Sequence, residues 1–113
     1  MNFTLYTANC IGNPQNSLYP DKVEINGADD MKAAVAYDHV CAEFRNSHRS
    51  SAEFLSADNI PMDCDNDHSD NPNDWVTPLE VAMAFPGVEF VVVYSRNHML
   101  PKSGKTARPR FHV

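Results

Sequence analysis

The sequence predicts an α+β fold, a mixed or antiparallel sheet with helices packed mainly on one face. Two kinds of observation carry this. Short apolar stretches of period two recur along the chain, ending in the β-branched run Val88–Tyr94. Helix-start signals occur at only two places, at Asp29 or Asp30 and at Thr77. The expected order is strand, helix, strand, strand, helix, strand and the opening of a last strand. No internal repeat is visible.

Phe3 to Ala8 reads as a first strand, with Thr4, Tyr6 and Ala8 on the face opposite Phe3, Leu5 and Thr7. Cys10 to Pro20 is loop chemistry, rich in Asn and Pro. Val23 to Ile25 is a short strand closed by the turn signal Asn26-Gly27. A helix follows to about Asp38, with Met31, Ala34 and Val35 near one face. Val40 to Phe44 is a second strand, and Arg45 to Ser51 a polar loop holding Arg45, His48 and Arg49. Ala52 to Ala57 is expected to form one helical turn. Asn59 to Asp65 is a strand, and Asn66 to Asp74, all Asp, Asn, Pro, His and Ser, an exposed loop. Thr77-Pro78-Leu79-Glu80 opens the second helix, and Pro86-Gly87 stops it. Val88 to Tyr94 should be a central strand buried on both faces. Ser95 to Pro109 is a basic loop, and Phe111-His112-Val113 begins another strand.

With 113 residues the chain suits one small domain spanning 1–113. The longest apolar run is too short to cross a bilayer, and the N-terminus lacks signal-peptide features. Three cysteines with no CxxC pair favour reduced thiols and a cytoplasmic location. The net charge of −6 argues against a generic nucleic-acid coat. That average conceals a segregation. Asp63 to Asp74 holds five aspartates and no Lys or Arg, and Arg96 to Val113 holds five basic residues and no acid. Two solvated loops would account for this. So would a site where carboxylates hold cations and basic residues hold phosphates.

The stretch Ile60-Pro61-Met62-Asp63-Cys64-Asp65 carries the chemistry. On a strand, Asp63 and Asp65 share a face, with Cα atoms roughly 6.5 Å apart. Neither has a cation next to it in sequence. A hard divalent cation such as Mg²⁺ or Mn²⁺ would relieve their repulsion. An exposed Asp-rich turn is the plain alternative. The spacing fails as a calcium loop, because His68 takes the glycine position. The histidines and cysteines match no zinc pattern. Lys102-Ser103-Gly104-Lys105-Thr106 lacks the first glycine of a P-loop and no helix follows it. It remains a basic loop able to approach phosphates. His39 and His48 read as ordinary surface residues, and Trp75 as a packing residue.

Asp63-Cys64-Asp65 resembles the acid-x-acid motif of the archaeo-eukaryotic primase superfamily, the primase-polymerases. The run MDCDNDHSDNP…WVTP…AFPGV…YSRNHM…RPRFHV, within Asn59 to Val113, is similar to primase-like proteins of bacterial mobile elements and prophages. The resemblance implies an RRM-like catalytic half packed beside an N-terminal α/β unit; this chain would be the N-terminal part of that catalytic domain, truncated before a third acid expected beyond Val113. It implies template-directed nucleotide addition in DNA replication. Asp63 and Asp65 would hold Mg²⁺ or Mn²⁺, and His112 would be the nucleotide-binding and catalytic histidine. Arg110 stands where the family pattern prefers a small residue. Ser95, Arg96, Arg110 and His112 would meet the incoming triphosphate, and Arg45, Arg49 and Lys105 the template or its phosphates. Expected partners are nucleic acid, nucleoside triphosphates and a downstream helicase domain or protein, with no membrane. The alternatives are a non-catalytic domain binding nucleic acid or a partner, and a two-metal phosphodiesterase.

Overall fold

Alternation at Phe3-Thr4-Leu5-Tyr6-Thr7 does produce a strand, β1 (Phe3–Thr7). The computed structural model describes residues 1–113 and confirms the α+β class, with helices beside small antiparallel sheets. The chain divides into two compact units, Met1–Ile60 and Pro61–Val113.

In the first unit β1 is the middle strand of three. It pairs antiparallel with β2 (Asp21–Ile25) on one side and β3 (His39–Val40) on the other. Phe3 lies opposite Ile25 and Leu5 opposite Val23, so these four side chains share a face. Helix α1 (Ala28–Ala34) covers that face. Leu5, Ile25 and Ala34 are buried together, with Phe3, Val23, Met31, Val35 and Cys41 packed around them.

The helix begins one or two residues before the expected caps. Gly27 is the N-cap, and the Asp30 carboxylate reaches back to accept the Asn26 N–H at 3.0 Å. It also ends at Ala34, four residues short of Asp38. Asp38 is needed elsewhere. Its carbonyl accepts the Ala8 N–H at 2.8 Å, and its carboxylate accepts the N–H groups of Gly12 and Asn13 at 2.6 and 2.8 Å. That carboxylate organises the Cys10–Pro14 loop.

The expected strand Val40–Phe44 is broken at Cys41 into β3 and β4 (Ala42–Phe44). The expected helical turn over Ala52–Ala57 is a correction. Ser51–Glu53 forms a 3₁₀ turn, and Phe54–Ala57 is strand β5, paired antiparallel with β4. The β4 backbone provides partners that a single helical turn could not, and the ladder bulges between Glu43 and Phe44.

The second unit is built on β8 (Phe111–His112), flanked by β6 (Asp63–Cys64) and β7 (Val93–Tyr94), both antiparallel to it. Met62 and Val113 exchange backbone hydrogen bonds at 2.8 and 2.9 Å. Helix α2 (Pro78–Ala84) starts as expected. Pro78 is its first residue, and the Glu80 carboxylate accepts the Thr77 N–H at 2.6 Å. Two expected strands are shorter than their apolar patterns. β6 covers only the end of Asn59–Asp65, and β7 only the end of Val88–Tyr94, which is an edge and not a central strand. In these registers β8 pairs with Asp63–Cys64 on one side and with Val93–Tyr94 on the other, and Val88 lies outside the paired stretch. Val88 is accordingly 58% exposed.

No helix is long and apolar enough to cross a membrane. The three cysteines are all free thiols.

Candidate functional site

The register of β6 on β8 decides which charged groups meet. Asp63 lies opposite His112, and Cys64 opposite Phe111. One step further along, Asp65 faces Arg110. On the other side of β8, Val93 lies opposite His112, and the Ser95 N–H bonds to the Arg110 carbonyl at 3.0 Å. Alternation then puts Asp63, Asp65, Arg110, His112 and Ser95 on one face of the sheet. The opposite face carries Cys64, Phe111 and Tyr94. Phe111 is fully buried, with the Tyr94 ring set edge-on to it at 6.5 Å.

On the charged face the carboxylates are not left to repel each other, as adjacency in sequence alone had suggested. Asp63 Oδ1 lies 3.6 Å from His112 Nε2. Asp65 is held by Arg110 Nη1 at 3.4 Å and Lys102 Nζ at 3.5 Å. Asp67 is held by Arg110 Nη2 at 2.9 Å and Lys105 Nζ at 3.6 Å. The acidic and basic segments therefore meet each other. Close pairing with the Arg110 guanidinium holds the Asp67 carboxyl below the usual carboxylate range, against the opposing effect of burial; Lys105 and Arg108 add to it. The same pairing holds Arg110 above its ordinary value.

Arg110 and Arg108 are both fully buried, yet they are satisfied in different ways. Arg108 Nη1 donates to the carbonyls of Asn66 and Ser69, both at 2.9 Å. Its Nη2 donates to Asp70 and to Thr106 Oγ1, and its Nε to the Thr106 carbonyl. The guanidinium also lies over the Trp75 ring, 5.4 Å from its centroid. Arg110 touches two carboxylates, but its N–H groups are not aligned for hydrogen bonds and its Nε has no partner. It is held by charge, where Arg108 is held by direction.

Asn66 closes the site from below. It is buried with a left-handed φ of 56°. Its side chain exchanges hydrogen bonds with the backbone of Val76 and donates to the Pro109 carbonyl at 2.8 Å. The Asp-rich loop is thus tied to the strand that carries Arg108 and Arg110. His68 and Ser69 also serve that loop, contacting the Asp74 carbonyl and carboxylate at 2.8 and 2.7 Å.

Of the residues expected to act together, Asp63, Asp65, Ser95, Arg110 and His112 do share one face. Arg96 is exposed just beyond β7. Lys105 is committed to Asp67. Arg45 and Arg49 belong to the first unit, where Arg45 pairs with Glu53 at 3.8 Å. Burial pushes the Cys64 thiol up, and Asp63 and Asp65 add to that, so it is a poor nucleophile.

Sequence reasoning missed Arg108, Asn66 and Lys102 as members of this arrangement. A signal was present for part of it. Asp63-x-Asp65-x-Asp67 and Arg108-x-Arg110-x-His112 are period-two runs of opposite sign. Two such runs on antiparallel neighbours would meet face to face.

The donors suit a hard cation in kind. Mg²⁺ is commonly held by one or two carboxylates, with substrate phosphates and water completing its shell. Asp63 is the accessible one, with its side chain 65% exposed; Asp65 would have to be shared with Arg110 and Lys102. No group of three or more His, Cys, Asp or Glu side chains converges here as a ready-made cage. The chain matches no family model, no curated protein and no solved structure.

Proposed function

We propose that the second unit is part of a nucleotidyl-transfer site of the primase-polymerase type. The observation that supports it is the pairing of Asp63 with His112 across β6 and β8, with Asp65 and Arg110 one step along the same face. The primase-like resemblance asks for two acids on one strand and a nucleotide-binding histidine on another. Here those three residues share one face.

In this reading Asp63 and Asp65 hold Mg²⁺ or Mn²⁺, which supplies Lewis-acid stabilisation of charge on phosphate oxygens. His112 binds and orients the triphosphate from the facing strand. Ser95 offers a hydroxyl at the same edge. Arg110 fixes Asp65 and Asp67 and balances their charge, which is a positioning role. Its fully buried guanidinium is already turned to those carboxylates. Nucleic acid and nucleoside triphosphates are the partners this chemistry requires, and a cytoplasmic location fits free thiols.

Asp63→Asn is the informative variant, because Asp63 is exposed and its only close charged neighbour is His112. It should keep the fold and lower Mn²⁺ affinity at least about ten-fold by calorimetry. Unchanged Mn²⁺ affinity would sink the metal assignment. Extension of a primed template with Mg²⁺ or Mn²⁺ supports polymerisation, and shortening of the primer supports a phosphodiesterase.

A second reading is favoured by the ion pairs themselves. Asp65 and Asp67 are neutralised from within by Arg110, Lys102 and Lys105, which is what a non-catalytic binding domain would also show. Intact nucleic-acid binding with no metal uptake and no extension would select it.

A further inference from the structure

The cations of the second unit are largely consumed by its own carboxylates. Lys102, Lys105, Arg108 and Arg110 all pair with Asp65, Asp67 or Asp70. In the first unit Arg45 is likewise held by Glu53. Arg49 is different. Its backbone is pinned by donation to the Ser17 carbonyl at 2.8 Å, while its exposed side chain makes no ion pair or hydrogen bond.

Arg49 lines an open groove of about 540 Å³. Phe44 and Phe54 line it too, set edge to face with centroids 6.3 Å apart. They lie opposite each other on β4 and β5 just where the ladder bulges, and a bulge re-aims the side chains beside it. Phe54 is 54% exposed, so part of its ring is open to solvent beside Phe44. Asn16, Ser17, Ser50 and Ser51 complete the lining with polar groups. Consecutive left-handed residues at Asn46 and Ser47, with φ of 54° and 57°, turn the chain so that Arg49 reaches this groove. Non-glycine residues hold that conformation only where their surroundings impose it.

A half-exposed aromatic ring, an uncommitted guanidinium and adjacent hydroxyls match one chemical object. We infer that this groove holds a nucleotide of a single-stranded nucleic acid, with its base on Phe54 and its phosphate on Arg49. Base stacking on an aromatic ring is tolerant of sequence, and the phosphate contact makes binding dependent on salt. A purely apolar peptide would leave the guanidinium unused. The inference concerns the first unit alone and stands apart from the nucleotidyl-transfer reading of the second.

The test is fluorescence anisotropy of labelled oligothymidylate and oligouridylate with the full chain, without metal or triphosphate. Phe54→Ala should weaken binding about ten-fold. Phe54→Tyr should restore it, which loss of folding would not allow. Arg49→Gln should weaken binding and make the salt dependence shallower by about 0.7 in log–log slope. Unchanged affinity in both Phe54→Ala and Arg49→Gln overturns the inference. So does weakening by Phe54→Ala that Phe54→Tyr fails to restore. Loss of triphosphate binding instead of oligomer binding overturns it as well, because the groove would then serve a mononucleotide. Mn²⁺ calorimetry on the parent chain tests the metal reading separately, because the groove and the carboxylates lie in different units.

Discussion

Arg108 spends every N–H it has. Its five side-chain hydrogen bonds go to Asn66, Ser69, Asp70 and, twice, Thr106. Three of the acceptors are backbone carbonyls of two different loops, so one side chain fastens the acidic loop to the basic one. Lysine keeps the charge but not the fork of donors that sits over the Trp75 ring. Arg108→Lys should therefore lower stability by about 3 kcal/mol in urea unfolding, as buried carbonyls lose their donors. Asp70→Asn should cost under about 1 kcal/mol, because its side chain is 86% exposed. Equal losses in the two variants would mean that the ion pair, and not the carbonyl bonds, holds the loop. This role was hidden in sequence, where Arg108 was one of four basic residues in the Ser95–Pro109 loop. A partner 42 positions away in Asn66 leaves no local trace.

At the scale of elements, backbone sterics settle what the Ser103-Gly104 pair does. Lys102 and Lys105 exchange backbone hydrogen bonds at 3.2 and 3.0 Å across it. Ser103 and Gly104 have φ of 52° and 75°, as a two-residue type I′ hairpin turn requires. The stretch that superficially echoes a phosphate loop is thus a tight turn. It directs Lys102 to Asp65 and Lys105 to Asp67. Glycine takes its position freely, but serine is strained there. Ser103→Asn should stabilise the protein by about 0.5–1 kcal/mol, read as a raised midpoint in urea. A lowered midpoint would show that Ser103 is held there by something other than turn geometry. The helix at Thr77-Pro78 and the strands at Phe3 and Phe111 were legible, because caps and alternation act over a few residues. The lengths of β6 and β7 were not, because a strand extends only as far as its neighbour pairs with it.

For the molecule as a whole, charge sets the response to acid. Asp67 in the second unit lies below its ordinary value of 3.8 through pairing with Arg110. In the first unit Asp58 also lies below 3.8: burial pushes it up, but hydrogen bonds from the Asn59 side chain and the Thr4 N–H outweigh that. Each folded value lies below the unfolded one. The stabilisation is therefore complete above the unfolded value and is lost as pH falls through the folded one. Thermal midpoints should be insensitive to these groups from neutrality to about pH 5 and fall below about pH 4. Asp67→Asn should lower the midpoint at pH 7 and flatten the acid limb. An acid limb as steep as the parent's would remove Asp67 from the account.

Sequence by itself determined the α+β class, the start of the second helix, and the acid-x-acid pattern with a histidine on a separate strand. Those features depend on residues a few positions apart, whose geometry the backbone enforces locally. Only the tertiary structure decided that Asp63 faces His112, that Asp65 and Asp67 are neutralised by Arg110, and that Arg49 is left uncommitted beside Phe54. Charges recognise each other through space. Which aspartate meets which arginine is set by strand register across more than 40 positions of chain, as from Asp65 to Arg110.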